Sequence, residues 1–207
     1  MSHPSTRTTS YNVVKRTTDI CASAIALLVL SPLLAAIALW IKLDSTGPVL
    51  FTQKRVGCHK KLFTIYKFRS MSTDAPKDVA THTLQNASAH ITRAGRFLRK
   101  SSLDELPQLI NILRGDMSVV GPRPALYNQD DLIAERDKYG ANDIRPGLTG
   151  WAQVNGRDEL PIPIKAKLDG IYTERYGVDI DLHCIYMTIA AVLTNKGVQE
   201  GANSDEQ

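Results

Sequence analysis

The sequence predicts a mainly helical α+β chain, and three observations carry that reading. A long uncharged apolar run lies near the N-terminus. Two strand-like segments rich in β-branched and aromatic residues flank a five-residue turn, Gly57–Lys61. Several later stretches place apolar residues at helical spacing. With 207 residues, 43% hydrophobic and 22% charged, the chain suits one compact domain and falls outside the disordered, collagen-like and disulfide-scaffold classes.

The apolar run extends from Ile20 to Ile41 and is bounded by Asp19 and Lys42. As a helix its 22 residues reach roughly 33 Å, enough for a bilayer core. Eleven of them are Ile, Leu or Val, worth on the order of −3 to −7 kcal/mol on an insertion scale. Membrane association follows, in one of three forms. A cleaved signal peptide would use the small residues of Ala36-Ile37-Ala38, but the run is long for one and the remainder is cysteine-poor. A simple spanning anchor is the second form.

The third is a re-entrant helix, and it turns on Ser31-Pro32. Pro32 removes an amide donor and kinks the helix, and the Ser31 hydroxyl is a natural partner for the freed carbonyl. Basic residues flank both ends, Lys15 and Arg16 before, Lys42, Lys54 and Arg55 after, so no charge asymmetry holds one flank outside. The residues favour a helix that enters, breaks and leaves on the same side. Pro-kinked spanning helices stay open as the alternative.

Past Gly47-Pro48, Val49–Val56 and Leu62–Arg69 are expected to form a hairpin, and Met71–Ala89 a loop. Charge is uneven here. Lys54 to Lys100 holds 11 basic and 2 acidic residues, whereas Ser101 to Gln207 holds 10 and 17, so an anionic partner or a solvated face belongs to the first block. Ile91–Lys100 concentrates the excess in a helical pattern: Arg93, Arg96, Arg99 and Lys100, with Ile91, Phe97 and Leu98 as its apolar side. Such a helix suits phosphate or a membrane surface, or it is a plain solvated face.

Ser101–Pro107 then opens a helix carrying Leu106, Leu109, Ile110 and Leu113, with Gly115 as its C-cap. Ser102 and Glu105 have capping-box spacing, so Asp104 and Glu105 either decorate a helix start or form a carboxylate pair facing the basic helix. In Gly121-Pro122-Arg123-Pro124 the prolines restrict the backbone, which either aims the Arg123 guanidinium or makes an ordinary turn. Leu126–Tyr139 reads as a polar surface helix, and the region from Arg145 to Arg157 as turns. Lys165–Tyr176 and Ile180–Leu193 read as helices, the last too short to span a bilayer. The tail from Gly197 carries no ordered pattern. Cys21, Cys58 and Cys184 have no metal-ligand spacing and fit free thiols in a reducing compartment.

The order KRVG, YKFRSM, SSLDELPQL, GDMSVVGPRP and RPGLTGWAQVNGR resembles the bacterial sugar transferase family, the monotopic phosphoglycosyl transferases, from about Val14 to Gly197. That likeness, closest to the short catalytic form, implies a domain plan: residues 1–46 with a re-entrant helix broken at Ser31 and Pro32, a catalytic domain over 47–197, and a tail over 198–207. It implies helices lying in the membrane interface, at the cytoplasmic face of the bacterial inner membrane. The implied reaction moves a sugar 1-phosphate from a UDP-sugar to undecaprenyl phosphate and releases UMP, with Mg2+ as cofactor, membrane lipids as surroundings and no nucleic acid partner. The donor expected is an N-acetylated hexosamine.

The likeness also assigns roles. Asp104 matches the nucleophile that forms an aspartyl phosphosugar, and Glu105 the acidic neighbour associated with the metal. Arg99 and Arg123 match phosphate- and nucleotide-binding positions, and Lys67, Arg69, Arg145 and Arg157 join them as substrate-binding candidates. These residue types suit the chemistry: a carboxylate can divide one displacement into two, and arginines grip phosphates bidentately. A direct transfer in which Asp104 is a base or metal ligand is the alternative mechanism. A membrane-tethered module for anionic lipid or nucleic acid is the non-enzymatic one. The helices from Leu126 and Ile180 each offer a contact for a homo-oligomer.

Overall fold

The computed structural model describes residues 6–76, 87–156 and 160–194. Arg157, most of the loop expected after Met71 and the tail from Gly197 lie outside the described residues. In chain order the elements are α1 (Thr6–Asp44), β1 (Leu50–Val56), β2 (Leu62–Phe68), α2 (Ala87–His90), α3 (Arg93–Lys100), α4 (Gln108–Arg114), β3 (Ser118–Val120), α5 (Asp130–Asp137), β4 (Gly147–Thr149), α6 (Trp151–Val154), α7 (Ile162–Glu174) and α8 (Val178–Leu193). This is the helix-rich α+β arrangement read from the sequence.

In α1 the halves Ser10–Val29 and Ser31–Asp44 are bent by 63°. The cause is local. A residue at position 32 would donate to the carbonyl of Leu28, but Pro32 has no N–H, and the Ser31 hydroxyl donates to that oxygen instead at 2.8 Å. Among the described residues no single straight helix is long and apolar enough to cross a membrane, whereas the bent pair together has the length and composition. One side of α1 is left bare: Ile25, Leu28, Val29, Leu39 and Leu43 are exposed, the last by 78%.

The other side packs on the rest of the chain. Past the bend, Ile37 and Ile41 join Phe68 of β2 and Leu98 of α3 in one core cluster. Before it, Ala26 and Leu27 pack on a second cluster of Ile65, Leu109, Ile112 and Met117. Further toward the N-terminus the seam is polar. Lys15 pairs with Asp181, whose other oxygen accepts from the Tyr172 hydroxyl at 2.7 Å. Asp19 accepts from the Ser118 hydroxyl at 2.7 Å and the Val119 amide at 3.1 Å, and Arg16 donates to Ile112 and Leu113 carbonyls at the end of α4.

β1 and β2 form the expected antiparallel hairpin, pairing Leu50 with Phe68 and Val56 with Leu62. The outer edge of β2 is held by α4. Asn111, fully buried, accepts from the Tyr66 amide at 3.0 Å and donates to the Thr64 carbonyl at 2.7 Å, as a neighbouring strand would. Gly95 lets α3 lie against the chain at Ser70, since a Cβ there would collide with the Ser70 carbonyl.

Three expectations change. The helix read over Leu126–Tyr139 is confined to Asp130–Asp137 and is not wholly a surface element: Leu132 and Arg136 are buried. The stretch read as turns after Arg145 contains β4, which pairs in parallel with β3. Strands of three residues, one starting at Gly147, carry too little pattern to be legible. The capping box is not formed. Ser102 adopts a left-handed backbone with no side-chain cap, Leu103–Glu105 is a 3-10 turn, and the helix begins only after Pro107.

Asn111→Ala should cost on the order of 1–3 kcal/mol, because the Tyr66 amide and the Thr64 carbonyl lose together the one fully buried side chain that partners both. Thermal unfolding of the detergent-solubilised protein measures it, and an unchanged midpoint would show that β2 does not depend on the Asn111 amide.

Candidate active site

The site forms where the two core clusters meet. Leu103 packs on the cluster that includes Ile37 and Ile41, and Leu106 on the one that includes Leu109 and Ile112. These two leucines pin both ends of the 3-10 turn, and Asp104 and Glu105 sit between them. Both carboxylates are withdrawn from solvent, Asp104 to 8% exposure.

Cations converge on the pair from three elements. Lys67 lies on the face of β2 that also carries Phe63 and Ile65, and that face meets α4. Its ammonium donates to Glu105 Oε1 at 2.7 Å. Arg123, between Pro122 and Pro124, donates to the same oxygen at 2.9 Å. Arg99, near the end of α3, adds its field at Asp104.

The two acids are driven apart by these surroundings. Burial pushes the Asp104 carboxyl up, Lys67 opposes that, and the Glu105 charge adds to it, giving a value of about 6. Burial also acts on Glu105, but there Arg123 and then Lys67 outweigh it and hold the carboxyl well below the usual range. At neutral pH three cations therefore face two carboxylates, an excess suited to a phosphate-bearing substrate. Asp104 combines ionisation at that pH with more basicity than an exposed aspartate has, which favours a nucleophile or base.

The other expected residues are distributed differently. Arg69 does not reach the pair. It is buried and donates to the carbonyls of Thr46 and Ser45, the latter at 2.8 Å, holding the chain where it leaves α1. The physical reason is that the chain beyond a helix end exposes carbonyls that need donors. Arg145 donates to Gly115 at 3.2 Å and lines a small recess with Asn12, Lys15, Arg16, Asp19 and Tyr176. Arg93, Arg96 and Lys100 are exposed on α3. A larger open recess of about 560 Å³, between Leu43 and Arg93, carries none of the carboxylates or their cations.

Among the described residues no group of three or more His, Cys, Asp and Glu side chains could cage a metal. Adjacent Asp104 and Glu105 do fit an ion that brings its own ligands. Mg2+ is commonly held by one or two carboxylates, with phosphate oxygens and water completing its shell.

A buried carboxylate pair faced by Lys67, Arg99 and Arg123, on a scaffold packed against a bent apolar helix, has the electrostatics of an enzyme site built for a phosphate-bearing substrate. The chain itself is a member of the bacterial sugar transferase family, whose model matches residues 10–195. It is 44% identical over 185 residues to the undecaprenyl-phosphate glucose phosphotransferase of Komagataeibacter xylinus, covering 84% of this chain and 35% of that protein. Over 195 residues it is 40% identical to the UDP-N-acetylgalactosamine-undecaprenyl-phosphate N-acetylgalactosaminephosphotransferase of Aeromonas hydrophila, covering 91% of this chain and 46% of the relative. The uncharacterized sugar transferase EpsL of Bacillus subtilis is 37% identical, with 91% of each chain covered. The chain thus spans less than half of the first two relatives and nearly all of the third.

The carboxyl titration of Asp104, followed by carbon-13 NMR, should fall near 6. Lys67→Met removes the largest influence holding it down, so the midpoint should rise by about one unit or more. A midpoint that stays put or falls would mean that Lys67 does not face Asp104.

Proposed function

We propose that this protein transfers a sugar 1-phosphate from a UDP-sugar to undecaprenyl phosphate, releasing UMP, through a covalent intermediate on Asp104. The observation that carries this reading is the division of labour in the pair: Asp104 raised to about 6 beside a Glu105 already neutralised by Lys67 and Arg123. An Asp104 oxygen attacks the sugar-bearing β-phosphorus. The bond from that phosphorus to the bridging oxygen breaks, and UMP leaves with the electron pair. A phosphate oxygen of the lipid acceptor then attacks the same phosphorus and releases Asp104. Lys67, Arg99 and Arg123 offset the charge of the diphosphate as the carboxylate approaches. Glu105, with Asp104 beside it, would hold Mg2+, which when bound supplies further neutralisation of the diphosphate.

The names of the relatives include glucose, galactose and N-acetylgalactosamine. An N-acetylated hexosamine is the donor proposed here, and the 40% identity to the N-acetylgalactosamine relative supports it. The proposed location is the cytoplasmic face of the inner membrane, with α1 entering and leaving on one side. The 63° bend, its internally satisfied Leu28 carbonyl and the bare apolar face of α1 support this.

Intact-mass and UMP measurements on the full chain test the chemistry. A panel of UDP-hexosamines and UDP-hexoses without acceptor should give one UMP per enzyme and a phosphosugar adduct, strongest with an N-acetylated donor. Asp104→Asn should lose both, a fall of at least about 1,000-fold in turnover. Lipid-linked product formed with no adduct would favour direct transfer.

Topology has its own test. With Cys21, Cys58 and Cys184 replaced by alanine, single cysteines at Ser10 and Thr46 should both react with a membrane-impermeant maleimide in inverted vesicles and neither in intact spheroplasts. Reaction on opposite sides would make α1 a spanning helix.

A further inference from the structure

The loop that carries Arg123 has its main chain fixed at four successive carbonyls. Pro122 accepts from the Gly147 amide at 2.9 Å, Arg123 from Arg136 Nη1 at 2.9 Å, Pro124 from Arg55 Nη1 at 3.0 Å, and Ala125 from the Val56 amide at 2.9 Å. The carbonyl of the residue that reaches Glu105 is thus held by a side chain from α5. That side chain is itself locked: Arg136 Nε and Nη2 meet Asp169 Oδ2 of α7 at 2.8 and 2.6 Å, with side-chain exposures of 5% and 1%.

Stability alone is a poor account of this pair. Burying an ion pair returns little over an apolar pair of the same volume, and here Asp169 Oδ1 is also buried with no hydrogen-bond partner among the described residues. What the pair does provide is geometry. Pro124 confines Arg123 to an extended backbone, and the Arg136 fork spans two acceptors at once, the Asp169 carboxylate and the Arg123 carbonyl.

We propose that Arg136, fixed by Asp169, is a positioning residue for the transfer, acting through the main chain of Arg123 to aim its guanidinium at Glu105. This rests on the reading of Asp104, Glu105 and Arg123 as the transfer site. Arg136 touches no reacting group. A lysine in its place keeps a charge for Asp169 but lacks the fork that meets both acceptors.

The test is a mutant cycle on the full chain, comparing Arg136→Met with Asp169→Leu (R136M/D169L), Arg123→Ala, and all three together. Arg136→Lys is a second route that leaves Asp169 paired should the apolar pair fail to fold. R136M/D169L should keep its thermal midpoint within about 5 °C of the parent. UMP release should nevertheless fall by about tenfold or more, as a misaimed group does. Adding Arg123→Ala should cost nothing beyond Arg123→Ala alone. Arg136→Lys should lose activity without loss of folded protein. The Arg123 guanidinium, read by nitrogen-15 NMR, should show the slowed rotation of a hydrogen-bonded fork in the parent and free rotation in R136M/D169L and Arg136→Lys.

Multiplying losses, or an Arg123 guanidinium that rotates no more freely in R136M/D169L or Arg136→Lys than in the parent, would overturn the proposal. If the parent released UMP from no UDP-sugar, the functional reading would fall. The Arg123 guanidinium signal would still decide whether Arg136 aims Arg123.

Discussion

Glu105 Oε1 accepts one hydrogen bond from Lys67 and another from Arg123, residues 38 and 18 positions away in sequence. A hairpin, a 3-10 turn and a proline-bounded loop are thereby joined at a single atom. The bridge decides the electrostatics of the whole site. Two adjacent buried carboxylates cannot both ionise without compensation, and here the compensation is spent on Glu105. Asp104 is left as the acid that titrates near the working pH.

The scaffold beneath that bridge is built around the bend in α1. One core cluster packs under the helix past Ser31-Pro32 and the other under the part before it, and the carboxylates occupy the seam between them. A straight helix could not cover both clusters in this arrangement. The same proline that bends the helix therefore bears on where the reactive turn lies. On the far side, Lys15, Arg16 and Asp19 fasten the helix to α4, β3 and α8 through polar contacts.

Much of this was legible in the sequence because it is local. The bend and its hydroxyl partner follow from Ser31-Pro32, the hairpin from two apolar and β-branched runs around Gly57, and the end of α4 from Gly115, whose left-handed backbone favours glycine. The partners of Lys67 and Arg123 were less accessible. Their residue types pointed to phosphate, but only the fold brings both to Glu105. Arg69 shows the opposite case, a basic residue in a suggestive motif that is used to hold a turn. Arg136 and Asp169 gave no signal. They lie 33 residues apart on different helices, and Arg136 stands in a segment whose composition reads as surface. The capping box had the right spacing and did not form, because Glu105 meets two full charges where the cap would offer one amide.

The shared core has a consequence for any attempt to make the catalytic part water-soluble. Severed after residue 45, the remaining chain would surrender Ile37 and Ile41 from beneath Phe68 and Leu98, and would leave Asp181 buried without its lysine. A chimera carrying some unrelated hydrophobic anchor would restore affinity for lipid but neither of those contacts. The greasy helix is in this sense a structural organ of the enzyme, because the residues it buries are part of the core on which the reactive turn rests.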